Sequence, residues 1–210
     1  MKVTRYPQSC LLLEQNGHKI VIDPGIHFLK SHAVDELRGV EAALYTHQHS
    51  DHYDEEIANV LIEQGTRVFA NKSTAALIGV ERVTVVNDGD IFTVGGFEVV
   101  AHELPHCLLV DDTPGPQNTG YLVNGAFFHP GDGKELEGLT VDNLAVPIAG
   151  PDISLRDAYA FAKQVSAKVV IPIHYLAVPA DPHVFAAYTQ KPGDPGFEVR
   201  ILEDGESTDL

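Results

Sequence analysis

The chain has 210 residues, 44% hydrophobic and 21% charged, the balance of a water-soluble globular protein, and a single domain over residues 1–210 is expected. Its formal net charge is −16 with histidine neutral and no basic stripe offsets it, so nucleic acid and anionic membranes are not expected partners. No apolar run approaches the ~18 residues of a membrane span, the start carries no signal-like apolar stretch, and two cysteines without a C-x-x-C pattern fit a reducing cytoplasm better than a disulfide framework.

Residues 3–6 read as a first strand. Residues 10–13 and 19–22 flank Asn16-Gly17, a strong hairpin signal, and Asp23-Pro24-Gly25 ends the third run abruptly. The apolar run 42–45 reads as a buried strand that leads directly into Thr46-His47-Gln48-His49-Ser50-Asp51-His52. Asp54 and Glu55 then open an amphipathic helix, with Ile57, Val60 and Leu61 at i, i+3, i+4 spacing. Three imidazoles and one carboxylate therefore stand at the carboxyl end of a strand, where open α/β sheets hold their sites. Residues two apart in an extended segment share a face, so His47 and His49 can converge on one cation, with Asp51 and His52 in reach of a second. Neutral imidazole and carboxylate suit zinc, iron or manganese better than softer metals. A polar loop with surface histidines is the plain alternative, and the spacing weighs against it.

Further on, residues 67–70 read as a strand, 72–77 as a short helix, and 83–86, 91–94 and 97–101 as strands separated by Gly- and Asn-rich turns. His102 and His106 close this run around Pro105. Residues 108–118 hold two prolines and a glycine and form a loop. Its apolar trio Leu108, Leu109 and Val110 can face an apolar part of a substrate, a partner subunit, or only local neighbours. Residues 120–123 and 126–128 pair around Asn124-Gly125 and lead to His129-Pro130-Gly131-Asp132. A strand over 144–148 precedes a helix capped by Ser154, with Asp157 at the capping-box position and Ala158, Phe161, Ala162 and Val165 as its apolar face. A strand over 169–175 carries His174 at its end. A helix over 183–188, a Pro-Gly loop at 191–196 and a last strand over 197–202 complete the chain. His18, His27, His32 and His183 have no spacing argument and read as surface or loop residues.

With H-x-H-x-D-H after a strand, the chain resembles the metallo-β-lactamase superfamily, and Pro172-Ile173-His174-Tyr175 is similar to the ending of its ascorbate-6-phosphate lactonase-like branch. The resemblance implies an α/β (α+β) fold: a four-layer αββα sandwich of two mixed β-sheets, helices outside, with the site at one edge between the sheets. It implies that His106, rather than its rival His102, completes a first metal site with His47 and His49. Asp51, His52 and His174 would hold a second metal, with Asp132 bridging both and Gly131 letting the backbone approach closely. Asp23 would lie beneath the site and orient ligands, where a turn-forming aspartate before proline is the plain alternative. Cys107 and His129 read as structural residues. The expected cofactors are two divalent metal ions, zinc first, with manganese or iron as alternatives. The expected activity is hydrolysis of an ester, lactone or phosphodiester of a small molecule by a metal-activated water, with Asp51 and Asp132 as catalytic residues. Gln8 stands where the branch often has histidine; it can contact substrate but cannot act as an acid or base. Tyr175 is the substrate-side candidate for a leaving-group acid. A di-iron redox or oxygen-handling protein and a non-catalytic metal-binding protein are the competing classes. A homo-oligomer is compatible with these features.

Overall fold

The computed structural model describes residues 1–189 and 196–210, so the Pro-Gly loop expected at 191–196 lies outside the described residues except for Gly196. The chain begins with β1 (Lys2–Arg5), β2 (Leu11–Gln15) and β3 (His18–Ile22). Asn16 and Gly17 take φ of 52° and 85°, the left-handed pair that a tight hairpin needs, and they set Leu11 opposite Ile22. β4 (Ala42–Tyr45), β5 (Arg67–Ala70) and β6 (Thr84–Val85) then add in parallel beside β3. Parallel strands are covered on both faces, and all four residues of β4 are buried.

The second sheet is laid down by β7 (Ile91–Val94), β8 (Phe97–Glu103), β9 (Thr119–Val123), β10 (Phe127–His129), β11 (Asn143–Pro147), β12 (Val169–Ile173) and β13 (Glu198–Val199). β14 (Ser207–Asp209) returns to the first sheet. The orders are β14-β1-β2-β3-β4-β5-β6 and β13-β12-β11-β10-β9-β8-β7. Both sheets repeat one pattern: three antiparallel pairings, then three parallel ones.

Period-two alternation divides the strand residues between layers. Leu11 and Leu13 enter the core between the sheets, with Leu44, Phe97, Val99, Tyr121 and Ile171, while Leu12 faces the outer layer. There α1 (Glu55–Glu63) covers the first sheet with Ile57, Ala58 and Leu61, and α2 (Lys72–Ile78) adds Ile78. On the far side α3 (Leu155–Gln164) and α4 (Pro182–Thr189) cover the second sheet with Ala158, Phe161, Ala162 and Phe185. The helix starts are fixed locally: Asp54 accepts from Ile57 N, Asn71 from Thr74 N, and Ser154 and Asp157 form a capping box. The result is the expected four-layer sandwich.

Three details differ from the sequence reading. The last expected strand shrinks from 197–202 to Glu198–Val199, and the strand expected at 83–86 shrinks to Thr84–Val85. β14 was not foreseen, because Ser207-Thr208-Asp209 has no apolar alternation; it exists by pairing with the edge of β1, helped by the 2.9 Å Thr4–Ser207 hydroxyl contact. The segment between β3 and β4 holds two short 3-10 turns, Phe28–Lys30 and Val34–Leu37, that bury Phe28 and Leu37. The ends of β3, β4, β8, β10 and β12 lead into Asp23, His47, His106, Asp132 and His174, respectively.

Candidate metal centre

β4 delivers its last residue, Tyr45, into the core, and the chain then turns through Thr46 to the three histidines and Asp51. One donor atom from each of His47, His49, His106 and Asp132 lies within 4.8 Å of the others, and the same holds for Asp51, His52 and His174. His47 Nε2 is 3.2 Å from His49 Nδ1 and 3.3 Å from His106 Nε2. Asp132 stands between the two sets. Its Oδ1 is 3.1 Å from His52 Nε2, and its Oδ2 is 3.3 Å from His174 Nε2 and 3.4 Å from His106 Nε2. Asp51 Oδ2 lies 3.2 Å from His174 Nε2.

The far side of each ring fixes which nitrogen faces the centre. His106 Nδ1 donates to Cys107 O at 2.6 Å and His174 Nδ1 donates to Ala149 O at 2.7 Å. A carbonyl can only accept, so each Nδ1 carries a proton and Nε2 is the nitrogen turned to the centre. His52 Nδ1 donates to Asp23 Oδ2 at 2.7 Å. Thr46 gives its single hydroxyl proton to Asp23 at 2.6 Å, so the hydroxyl accepts from His47 Nδ1 at 3.1 Å. Asp23, fully buried at φ 52°, thus anchors one ring directly and a second through Thr46. Asp132 is presented by Gly131 at φ 59°, where a Cβ would stand 2.2 Å from Asn118 Oδ1 and 2.7 Å from Thr46 Oγ1. Asn118 accepts from Asp132 N at 3.3 Å and donates to Pro130 O at 2.9 Å. His129 has the structural place expected of it: Nε2 donates to Ser9 O, and Nδ1 accepts from Gly131 N.

Electrostatically the cluster is a knot of opposed charges. Burial works against charge on His52, but Asp132 and then Asp23 outweigh it and hold its pKa well above the usual imidazole value. Burial likewise opposes charge on His174, yet Asp132 and Asp51 push its pKa up to about 10. His47 goes the other way, held well below its usual value by burial and then by His52. Burial would raise Asp132 and Asp51; the neighbouring His174 and His52 overcome this and keep both low. Even so, His52 Nε2, His174 Nε2 and Asp132 Oδ1 are buried without a well-aligned hydrogen bond. They stand close to one another yet aim at shared space. Buried polar atoms without partners are costly, and imidazole nitrogens with carboxylate oxygens are the donor set of a zinc-like cation. The residues present fit divalent metal.

The family described as a β-lactamase superfamily domain matches residues 2–174. The chain belongs to the metallo-β-lactamase superfamily. Protein Rv0786c of Mycobacterium tuberculosis is 32% identical over 188 residues, covering 86% of this chain and 87% of that protein. A metal-dependent hydrolase of Aeropyrum pernix is 28% identical over 235 aligned positions, covering 98% and 96%. Igni18, a metallo hydrolase of Ignicoccus hospitalis, superposes with a TM-score of 0.76 at 21% identity, covering 99% of this chain and 97% of that one.

Within the superfamily frame, His106 is the histidine gathered into the centre, while His102 lies on β8, edge-on to Phe128 at 5.9 Å. Cys107 is a buried free thiol whose pKa burial pushes up to about 11. Gln8, expected to contact substrate, has both ends of its amide engaged within the protein. It is fully buried at φ 64°, its Nε2 donates to Asp51 Oδ2 at 2.9 Å, and its Oε1 accepts from Leu176 N and Ala177 N, both at 3.1 Å. Its backbone oxygen also accepts from His174 N at 3.0 Å. Gln8 therefore positions Asp51 and the loop after His174. Tyr175 is half-buried, with the Arg5 guanidinium 4.5 Å from its ring centre. Sequence reasoning missed Thr46 and Asn118. Thr46, preceding the motif, carried a signal in its position; Asn118, at the end of a proline-rich loop, carried none.

Proposed function

We propose that the protein is a metal-dependent hydrolase that holds two divalent cations, zinc first, and cleaves an ester, lactone or phosphodiester bond of a small molecule. The observation that carries this reading is Asp132, whose carboxylate lies between the two donor sets: Oδ1 faces His52 Nε2, and Oδ2 faces both His174 Nε2 of the same set and His106 Nε2 of the other. His47, His49 and His106 would hold one cation, and Asp51, His52 and His174 the other, with Asp132 between. Such cations supply an acidified water as nucleophile near neutral pH and polarise the reacting oxygen. The protein's own groups do the rest. Asp23, Cys107 O and Ala149 O fix the rings, so the donors are in place before substrate arrives. Asp51 keeps some solvent access and stays anionic, so it can orient the attacking water and take its proton. Tyr175, next to His174, is the candidate leaving-group acid of this reading, although burial raises its pKa and so makes it a weaker acid. A cytoplasmic setting belongs to the same reading, supported by two free cysteines; no helix among the described residues is long and apolar enough to cross a membrane.

The test is elemental analysis of protein reconstituted with zinc or manganese, joined to a panel of esters, lactones and phosphodiesters. Lactones belong in it because of the Pro172-Ile173-His174-Tyr175 ending. About two metals per chain, with loss of metal and hydrolysis in Asp132→Ala, is expected. Saturation at one metal with Asp132→Ala unchanged would sink the two-metal reading. Retained iron with oxygen consumption and no hydrolysis would replace it with a redox protein.

A further inference from the structure

The loops that carry or brace the metal-facing residues also hold half of the large apolar side chains left exposed among the described residues. Of ten such side chains among the described residues, Ile26, Leu108, Val110, Leu176 and Val178 lie on three of these loops. Each loop is tied to the centre. Ile26 N donates to Ser50 O at 2.8 Å, beside Asp51. Leu108 is two residues past His106, and its amide is held by Asp152 at 3.3 Å. Leu176 N is held by Gln8, whose other end donates to Asp51. Single exposed hydrophobics are ordinary, but half of them on three loops tied to the centre is a concentration that points to a contact surface.

The charges nearby point the same way. Arg5 is buried beneath Tyr175 and donates to Leu202 O, Lys134 is paired with Asp152 at 2.7 Å, and Lys30 Nζ lies 3.0 Å from His27 Nδ1. None of these presents the open guanidinium fork that suits a phosphate, and the chain carries a net charge of −16.

Resting on the hydrolase reading above, we propose that the substrate is a carboxylic ester, open-chain or cyclic, with an apolar acyl chain. Its carbonyl sits at the Asp132 centre and its chain lies across Ile26, Leu108 and Leu176. In the reaction, the water oxygen forms a bond to the acyl carbon as the acyl carbon–alkoxy oxygen bond breaks. One water proton goes to the departing alkoxide, giving the alcohol, and the acid forms with no change in oxidation state.

The experiment uses the zinc-reconstituted protein and a series of straight-chain hydroxamates, from acetohydroxamate to decanohydroxamate, whose shared head chelates metal. Calorimetry should show Kd falling about two- to fourfold per added methylene, the factor that burial of a CH2 group implies. The kcat/KM of matching p-nitrophenyl esters should rise in parallel. In Ile26→Asn and Leu176→Asn, both surface changes, the slope with chain length should flatten. Binding at no chain length would sink the metal-centre reading, and this proposal with it. Equal binding at every length would leave that reading standing and overturn this one. Faster turnover of bis-p-nitrophenyl phosphate than of every ester would also overturn it. So would a shift from dimer to monomer in the two variants with the slope intact, since the patch would then cover a second copy of the chain.

Discussion

Gln8 uses both ends of its amide and its backbone oxygen, so one residue links Asp51, His174 and the loop at 175–179. Gln8→Met removes the donor to Asp51 and the acceptor for two amides while keeping the volume. Residues that orient metal ligands typically contribute 10- to 100-fold in metal affinity. Weaker binding at the second set, by about that factor, is expected in this variant. Hydrogen exchange at Leu176 and Ala177 should quicken as well. Metal titration and amide exchange check it; unchanged values in both would show that Gln8 only fills space. Asp23→Asn should act on both sets, because the amide cannot accept from Thr46 and His52 with a carboxylate's strength. Metal binding lower by about one order of magnitude is expected, with the fold intact by circular dichroism.

Among the elements, the turn after β10 and the start of α3 make opposite demands. Gly131 is confined by Asn118 and Thr46, so Gly131→Ala must move backbone that presents Asp132. Overpacking of this kind costs about 1–3 kcal/mol, and metal content should fall with the stability. Ser154→Ala removes a cap whose side-chain bonds go to Asp157 rather than to any residue of the centre, costing about 1 kcal/mol. Its metal content and activity should match the parent. Denaturant midpoints and elemental analysis of the two variants separate the effects. Equal metal loss in both would mean that the centre responds to global stability rather than to the Gly131 turn.

For the whole molecule, metal and protons compete for the same nitrogens. In the metal-free chain His52 and His174 have raised pKa values. Their contribution to stability is fully present below the unfolded value of about 6.5 and is lost as pH rises, for His174 through about 10. Loaded protein must release those protons, so apparent metal affinity should increase with pH. The gap in Tm between loaded and metal-free protein should therefore widen from about pH 6 to about pH 9. Calorimetry in buffers of different ionisation enthalpy should find proton release on metal uptake near pH 7. A gap that narrows with pH, or no release, would place the protons elsewhere.

What the sequence determined by itself lies close together along the chain. The Asn16-Gly17 hairpin, the Asp54 and Ser154 caps, and the strand–turn–helix around His47 to His52 depend on turn chemistry and periodicity, which are short-range properties of the backbone. The resemblance added the sandwich and the order of the ligand candidates. The resemblance also set His106 ahead of His102, and the tertiary structure gives the physical reason. Phe97, Val99 and Ala101 of β8 fill the core between the sheets, so the strand's alternation turns His102 to the other face, while His106 comes after the strand ends. The tertiary structure alone supplied Thr46 relaying His47 to Asp23, and Gln8 meeting Asp51. β14 needed the open edge of β1, which stands almost a full chain length away. Each of these contacts is made by strands that pair across the sequence, and no local pattern of residues specifies such a meeting before the sheets are assembled.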